Sequence, residues 1–350
     1  MNTNQLKRFA QEARTKLLQQ VGAKMNYVLS QDTSELRGRT DTLQKLNEEI
    51  HRHGKEAVID KVGYTWFNRL VALRFMDVNG YQPIGMSVVS PATPDHVSPQ
   101  ILTEAHSGNI PGELKVNKTQ LFDILDGRQP SNNPDNEVYR MLLVAACNHL
   151  SHLFPFLFER IEDYTELLLP DDLTSPFSIV TDVVNGMAEE DCREVEIIGW
   201  LYQFYISEKN EELIQSKKTY KKDELAPASQ LFTPKWIVRY MVDNTLGQFW
   251  SECYPQTRIL TELEFYIKPD YVDKIKKREV NIDEVKFFDP CAGSGHILSY
   301  AFDVFYRIYE ELGYEPNRIP ELIITKNLWG VDIDQRASQL ASFVLLMKGR

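Results

Sequence analysis

Phe287-Phe288-Asp289-Pro290-Cys291-Ala292-Gly293-Ser294-Gly295-His296-Ile297-Leu298 is the stretch that decides the fold. Val285, Phe287 and Phe288 predict a short buried strand, preceded by polar Asn281, Asp283 and Glu284. After Gly295, apolar residues recur at Leu298, Ala301, Phe302, Phe305, Tyr309 and Leu312. That spacing predicts a helix, and Gly313 suits its C-terminal cap. A strand that enters a helix through a glycine turn aims free backbone N–H groups and the positive end of the helix dipole at one point. Glycines let a ligand reach the main chain without a Cβ in the way. The corner suits a nucleotide-like ligand with a carboxylate or phosphate tail. The glycine pair alone serves an ordinary strand-to-helix turn equally well.

Two flanking stretches shift that balance. Upstream, in Gln230-Leu231-Phe232-Thr233-Pro234, Thr233 suits an N-cap and Pro234 a first helical residue. Ile237, Val238, Met241, Val242, Leu246 and Phe249 then form one apolar face. Downstream, Leu328-Trp329-Gly330-Val331 predicts a second strand that ends at Asp332. Asp334 is placed to cap a helix that buries Ala337, Leu340, Ala341, Val344 and Leu345. Asp289 ends the first strand, where open α/β sheets bind ligands. An acid at the tip of the second strand can grip both hydroxyls of a ribose. Asp289 and Asp332 lie further apart than the roughly 20 residues of the dinucleotide pattern. The excess falls at 319–326, which predicts an extra half-turn or helix.

The order Thr233-Pro234, then Asp289-Pro290 with Gly293-Ser294-Gly295, then Gly330-Val331-Asp332-Ile333-Asp334 resembles a known family. It is similar to the adenine-N6 branch of the S-adenosylmethionine-dependent DNA amino-methyltransferases. Glu196-Ile197-Ile198-Gly199-Trp200-Leu201-Tyr202-Gln203-Phe204-Tyr205-Ile206-Ser207-Glu208-Lys209, with residues 230–238, resembles more narrowly the PglX type of the BREX phage-defence systems. The resemblance implies an S-adenosylmethionine site. Phe232, Thr233 and Pro234 would line the methionine end. Asp289 would take the ammonium, with Pro290, Ala292, Gly293, Ser294 and Gly295 forming the turn. Asp332 would hold the ribose, and Ile333 would pack on the adenine. Cys291 reads as a small, tolerated turn residue, since that chemistry needs no thiol. DNA and other BREX proteins are the implied partners, and phage defence with host-DNA marking the implied role.

The expected fold is an α-helical N-terminal region, 1–224, followed at 225–350 by the first part of a doubly wound, Rossmann-like methyltransferase core. The family's catalytic Asn/Asp-Pro-Pro-Tyr/Phe signature is not found. Asn132-Asn133-Pro134-Asp135 lacks the second proline and the aromatic, precedes the glycine turn, and reads as a turn. No catalytic residue is therefore assigned. The chain reads as the N-terminal part of a larger enzyme, inactive alone and binding S-adenosylmethionine weakly at best.

The composition agrees with a soluble globular protein. The 350 residues carry 39 Lys and Arg against 50 Asp and Glu, a formal net charge of −11. That balance argues against a surface that grips duplex DNA everywhere, which needs clustered cations. Cys147, Cys192, Cys253 and Cys291 form no Cys-x-x-Cys pair, as expected of reduced cytoplasmic thiols. His149 and His152 have no further ligands at metal-site spacing, so no metal is expected. No run is long enough to span a membrane.

Residues 4–79 predict helices, with one stripe at Leu6, Ala10, Ala13, Leu17 and Val21. A second stripe, at Val62, Trp66, Leu70 and Leu73, ends at Gly80 and Pro83. Arg69 and Arg74 are expected in ordinary surface or structural ion pairs. Residues 82–136 predict loops with short elements, such as 118–125. Residues 138–160 predict a buried helix broken near Pro155, and residues 194–213 an aromatic helix. The lysines at 217, 218, 221 and 222 read as a solvated loop, and 274–278 as a basic helix end. Two rival readings follow: a non-catalytic assembly or inhibitor-docking module of a defence complex, and a nicotinamide-dependent oxidoreductase. The Thr-Pro helix and the long spacing speak against the second.

Overall fold

The computed structural model describes residues 2–31, 33–93, 95–159, 164–216, 219–220, 224–230, 233–270 and 280–350. They form two compact units, Met1–Glu194 and Val195–Arg350.

In the first unit, heptad-like apolar spacing builds α1 (Thr3–Ser30), which buries Leu6, Ala10, Ala13, Leu17, Val21 and Met25 along one side. Asn2 caps it by accepting from Gln5 N. Next come α2 (Thr40–His53) and α3 (Lys55–Val78). Almost every residue from Val62 to Met76 in α3 is buried, with Trp66, Phe67 and Leu70 fully so. α3 stops where Gly80 takes a positive φ of 66°. α4 (Lys118–Leu125) and α5 (Pro134–Leu150) follow, then α6 (Ile179–Gly186). α1 packs on α3 and α6, α2 on α3, and α4 on α5.

Two expectations are corrected here. Asn132-Asn133-Pro134-Asp135 is a helix start: Asn133 accepts from Asn136 N at 3.1 Å and Pro134 opens α5. α5 itself ends at Leu150, short of Pro155. The residue before a proline is biased away from helix, so the chain leaves α5 ahead of it in turns.

The second unit starts with α7 (Glu196–Ser216), continues through α8 (Lys235–Val242) and α9 (Gln248–Cys253), and reaches β1 (Phe287–Asp289). α10 (His296–Glu311), β2 (Leu328–Gly330) and α11 (Gln335–Lys348) complete it. The unit begins ahead of the expected boundary at residue 224 because α7 packs on α10 and α11. Two polar ties hold it there: Tyr202 OH donates to Asp334 Oδ2 at 2.7 Å, and Glu196 lies 3.5 Å from Lys348 Nζ.

β1 and β2 pair in parallel, Phe287 with Leu328, Phe288 with Trp329 and Asp289 with Gly330. α10 covers one face with Leu298, Phe302 and Phe305. Phe288, expected inside, is exposed, because α10 reaches the other face of the sheet. The chain is thus mostly helical, with one small parallel sheet among the described residues. Instead of one continuous helix after Pro234, a π-turn at Asp243–Gly247 separates α8 from α9. It buries Asp243, which accepts from Phe265 N at 3.0 Å and Tyr300 OH at 2.9 Å. A second π-turn at Ile323–Asn327 occupies the expected extra segment before β2. Its Asn327 donates to Ile282 O and Val285 O at 2.9 and 2.8 Å and so fixes the entry to β1.

Candidate functional site

Parallel pairing brings the carboxyl ends of β1 and β2 to the same edge. Val331 N donates to Asp289 O at 3.0 Å, and Ala292 N to Val331 O at 3.0 Å. The glycine corner and residues 331–334 are therefore stitched together by main chain. Asp332 completes the stitch: Oδ2 accepts from Gly293 N at 2.7 Å and Oδ1 from Asp334 N at 2.8 Å.

Asp289 is only 7% exposed. Its Oδ1 accepts from Cys291 N at 3.0 Å. Its Oδ2 is sealed from solvent and has no hydrogen-bond partner among the described residues. Burial first, and then the Asp332 carboxylate, push the Asp289 pKa upward against the Cys291 N–H. A buried acceptor left open in this way calls for a donor, best a cationic one.

The two glycines separate in role. Gly293 has φ 54°, and a Cβ there would meet nothing closer than Gln230 Oε1 at 4.0 Å. It therefore leaves open space beside the backbone. Gly295 has φ 89°, and its Cβ would stand 3.0 Å from Ala341 Cβ. Its bareness serves the approach of α11, which differs from the ligand access expected of both. Ser294 is buried, and its Oγ has no partner among the described residues.

A cavity of about 650 Å³ opens beside β1, walled by Asp289, Pro290, Phe287, Phe288, Ile297 and Met241 among others. Of the expected residues, Asp289 and Pro290 line it; Asp332 reaches the corner through Gly293 N. Pro234 is the N-cap of α8, with no side-chain cap bond, and Lys235 its first residue, one position later than expected. Thr233 and Pro234 are half-buried, and Ile333 is 70% exposed. Phe232, the lysines at 217, 218, 221 and 222, and residues 274–278 lie outside the described residues. Asp334 caps α11 as expected, accepting from Arg336 N.

Sequence reasoning missed what stands behind the corner. Gly199 of α7 sits so close that a Cβ would fall 2.8 Å from His296 Cε1 and 2.9 Å from Ser294 Oγ. Asn210 of the same helix donates to Pro227 O, Ala228 O and Gln230 O, anchoring the short helical turn Leu225–Ser229 and the residue after it. The glycine in the aromatic run 196–206 was the one available signal. Burial lowers the pKa of His296 against the pull of Glu196.

Among the described residues no cluster of three or more His, Cys, Asp or Glu side chains could hold a metal ion. No described helix is long and apolar enough to cross a membrane.

A strand, a glycine corner and a helix are thus joined to a second parallel strand tipped by an acid, a small α/β corner. No family profile matches the chain. It is 38% identical over 387 residues to the adenine-specific methyltransferase BrxX of Escherichia coli O9:H4 (strain HS), covering all of this chain and 31% of that protein. It is 33% identical over 399 residues to the adenine-specific methyltransferase PglX of Lacticaseibacillus casei (strain Zhang), covering all of this chain and 33% of that protein. The chain is therefore a homologue, along its whole length, of PglX-type adenine-specific methyltransferases, and it spans about a third of the length of these curated relatives.

Proposed function

We propose that this chain carries the S-adenosylmethionine-binding corner of a DNA adenine-N6 methyltransferase that marks host DNA in a BREX phage-defence system. The observation that carries this reading is the buried, unpartnered Oδ2 of Asp289 beside the open side of Gly293. Together with the apolar part of the cavity wall, it fits a ligand that joins an ammonium to an extended body with apolar surface. Asp289 accepts from the ammonium. Gly293 leaves room against the backbone, and Phe287 and Ile297 line the apolar side of the cavity. Asp332 holds the Gly293 N–H and keeps the corner in shape; on binding it turns an oxygen to the ribose hydroxyls. When bound, the sulfonium supplies the methyl group. Thr233, Pro234, Ala292, Ser294 and Gly295 belong to the same corner as framing residues.

The sheet belongs to a larger doubly wound core in this reading. Phe288, Trp329 and Val331 share one apolar face and are 57%, 50% and 54% exposed. Further strands and helices of a longer protein would cover them. DNA and other BREX proteins would then be partners of that whole enzyme, in the cytoplasm.

Calorimetric titration of S-adenosylmethionine into this chain and into Asp289→Ala and Asp332→Ala tests the site. The expected result is measurable binding that weakens at least tenfold in Asp289→Ala. Equal affinity in all three proteins would remove both acids from the site. The chain alone is expected not to methylate adenine, so incorporation of labelled methyl groups into DNA by it would overturn that part.

A further inference from the structure

The first unit holds a cavity of its own, about 630 Å³ in volume. One wall is Arg74 of α3, which is 5% exposed. Arg74 donates from Nε and Nη2 to Met187 O at 3.3 and 3.2 Å, and from Nη1 to Ser90 Oγ at 2.8 Å. Both acceptors are neutral. No carboxylate among the described residues stands within ion-pair distance of it, so the structural ion pair expected of Arg74 is not formed. A guanidinium has five N–H donors, and three of these are used here. A cation this deep whose direct hydrogen-bond partners are all neutral is costly, and an anion in direct contact would offset that cost.

Asp77, one turn further along α3, also borders the cavity. Its oxygens are already committed: Oδ1 accepts from Val88 N and Gln82 Nε2, and Oδ2 from Val89 N and Ser90 N. It thereby shapes the loop that brings Ser90 to Arg74. Glu189 is exposed at the border, as are Thr93, His96 and Asn185. Val89, Val180, Val184, Pro99 and Leu173 make much of the remaining wall apolar. The volume lies within the roughly 300–1,000 Å³ of small-molecule sites.

We propose that this cavity binds a mononucleotide-sized organic anion, whose phosphate or carboxylate group pairs with Arg74 while its body rests on the apolar wall. The inference is independent of the methyltransferase reading.

The test is calorimetric titration of the 350-residue chain in low-chloride buffer with three probes: inorganic phosphate, adenosine 5′-monophosphate and benzoate. The nucleotide or benzoate should bind at least tenfold more tightly than inorganic phosphate, and which one does so tells phosphate from carboxylate. Asn185→Glu, a substitution at an exposed position, should weaken that binding at least tenfold, as should Arg74→Gln. Asp289→Ala, in the other unit, should leave it unchanged. Three results would each overturn the proposal: no binding by any probe at millimolar concentration, binding indifferent to Asn185→Glu, or binding lost in Asp289→Ala. Should Arg74→Gln fail to fold, Asn185→Glu decides alone.

Discussion

Trp66 and Trp329 are the same side chain in two different regions. Trp66, in α3 of the first unit, has no exposed surface, and its indole N–H donates to Thr165 O at 2.9 Å. Trp329, in β2 of the second unit, is 50% exposed, and Lys286 Nζ hovers 5.0 Å from its ring centroid. The first unit is made of helices whose apolar stripes face one another, so each stripe finds cover within the unit. A sheet has two faces, and α10 covers one. The difference teaches that helices with facing stripes close their own core, whereas a two-stranded sheet covered on one face leaves the aromatics of its other face in solvent.

The comparison breaks most visibly at Trp66. Trp66→Ala should destabilise the chain by about 3–5 kcal/mol, since it leaves a large cavity in a core that cannot collapse around it. Urea denaturation measures this, and a loss under about 1 kcal/mol would mean the first unit is loosely packed. Next in size is Gly199→Ala, which pushes a methyl group into His296 and Ser294. A loss of about 1–3 kcal/mol is expected from overpacking, together with weaker S-adenosylmethionine binding. An unchanged melting curve would show that α7 does not brace the corner.

A smaller effect tracks pH. His296 has its pKa depressed below the ordinary 6.5 by burial. The unfolded chain therefore binds the proton first, and stability falls as pH drops below about 6.5. His296→Gln should flatten that part of the stability–pH curve; an identical slope in the variant would assign it to other groups. Asp289 acts in the opposite sense. Its raised pKa makes the ionised form a burden as pH rises above the ordinary 3.8. Asp289→Asn should raise the melting temperature of the ligand-free chain by about 2 °C at neutral pH while weakening S-adenosylmethionine. A drop in melting temperature would mean that the carboxylate is needed to fold the corner. The smallest effect belongs to Trp329→Ala, expected within about 0.5 kcal/mol because the ring already faces solvent. A loss comparable to that at Trp66 would erase the contrast between the regions.

Much of the fold was legible. The stripes at Leu6 to Val21 and Val62 to Leu73, the element at residues 118–125, the cap at Asp334 and the strand–glycine–helix corner all follow from neighbours within a few positions. The reading failed where spacing was right but cover was not: Phe288 has a strand pattern and an open face. It also failed where a local cue was ambiguous, as at Asn133-Pro134, which starts a helix although the same residues start turns. The candidate site was legible as a set of motifs, and Asp289 and Asp332 do meet at one corner. That Asp332 spends its carboxylate on Gly293 N, leaving Asp289 Oδ2 as the open acceptor, was not.

By itself, then, the amino-acid order determined the helices, their caps and the glycine corner, because those rest on hydrogen bonds and side-chain periodicities that reach a few residues along the chain. Only the tertiary structure decided that Gly295 yields to Ala341, that Gly199 backs His296, and that Arg74 meets Met187 O and Ser90 instead of a carboxylate. Those facts depend on close packing between residues distant in sequence, where a few tenths of an ångström separate a contact from a clash and no local pattern records which surface will arrive.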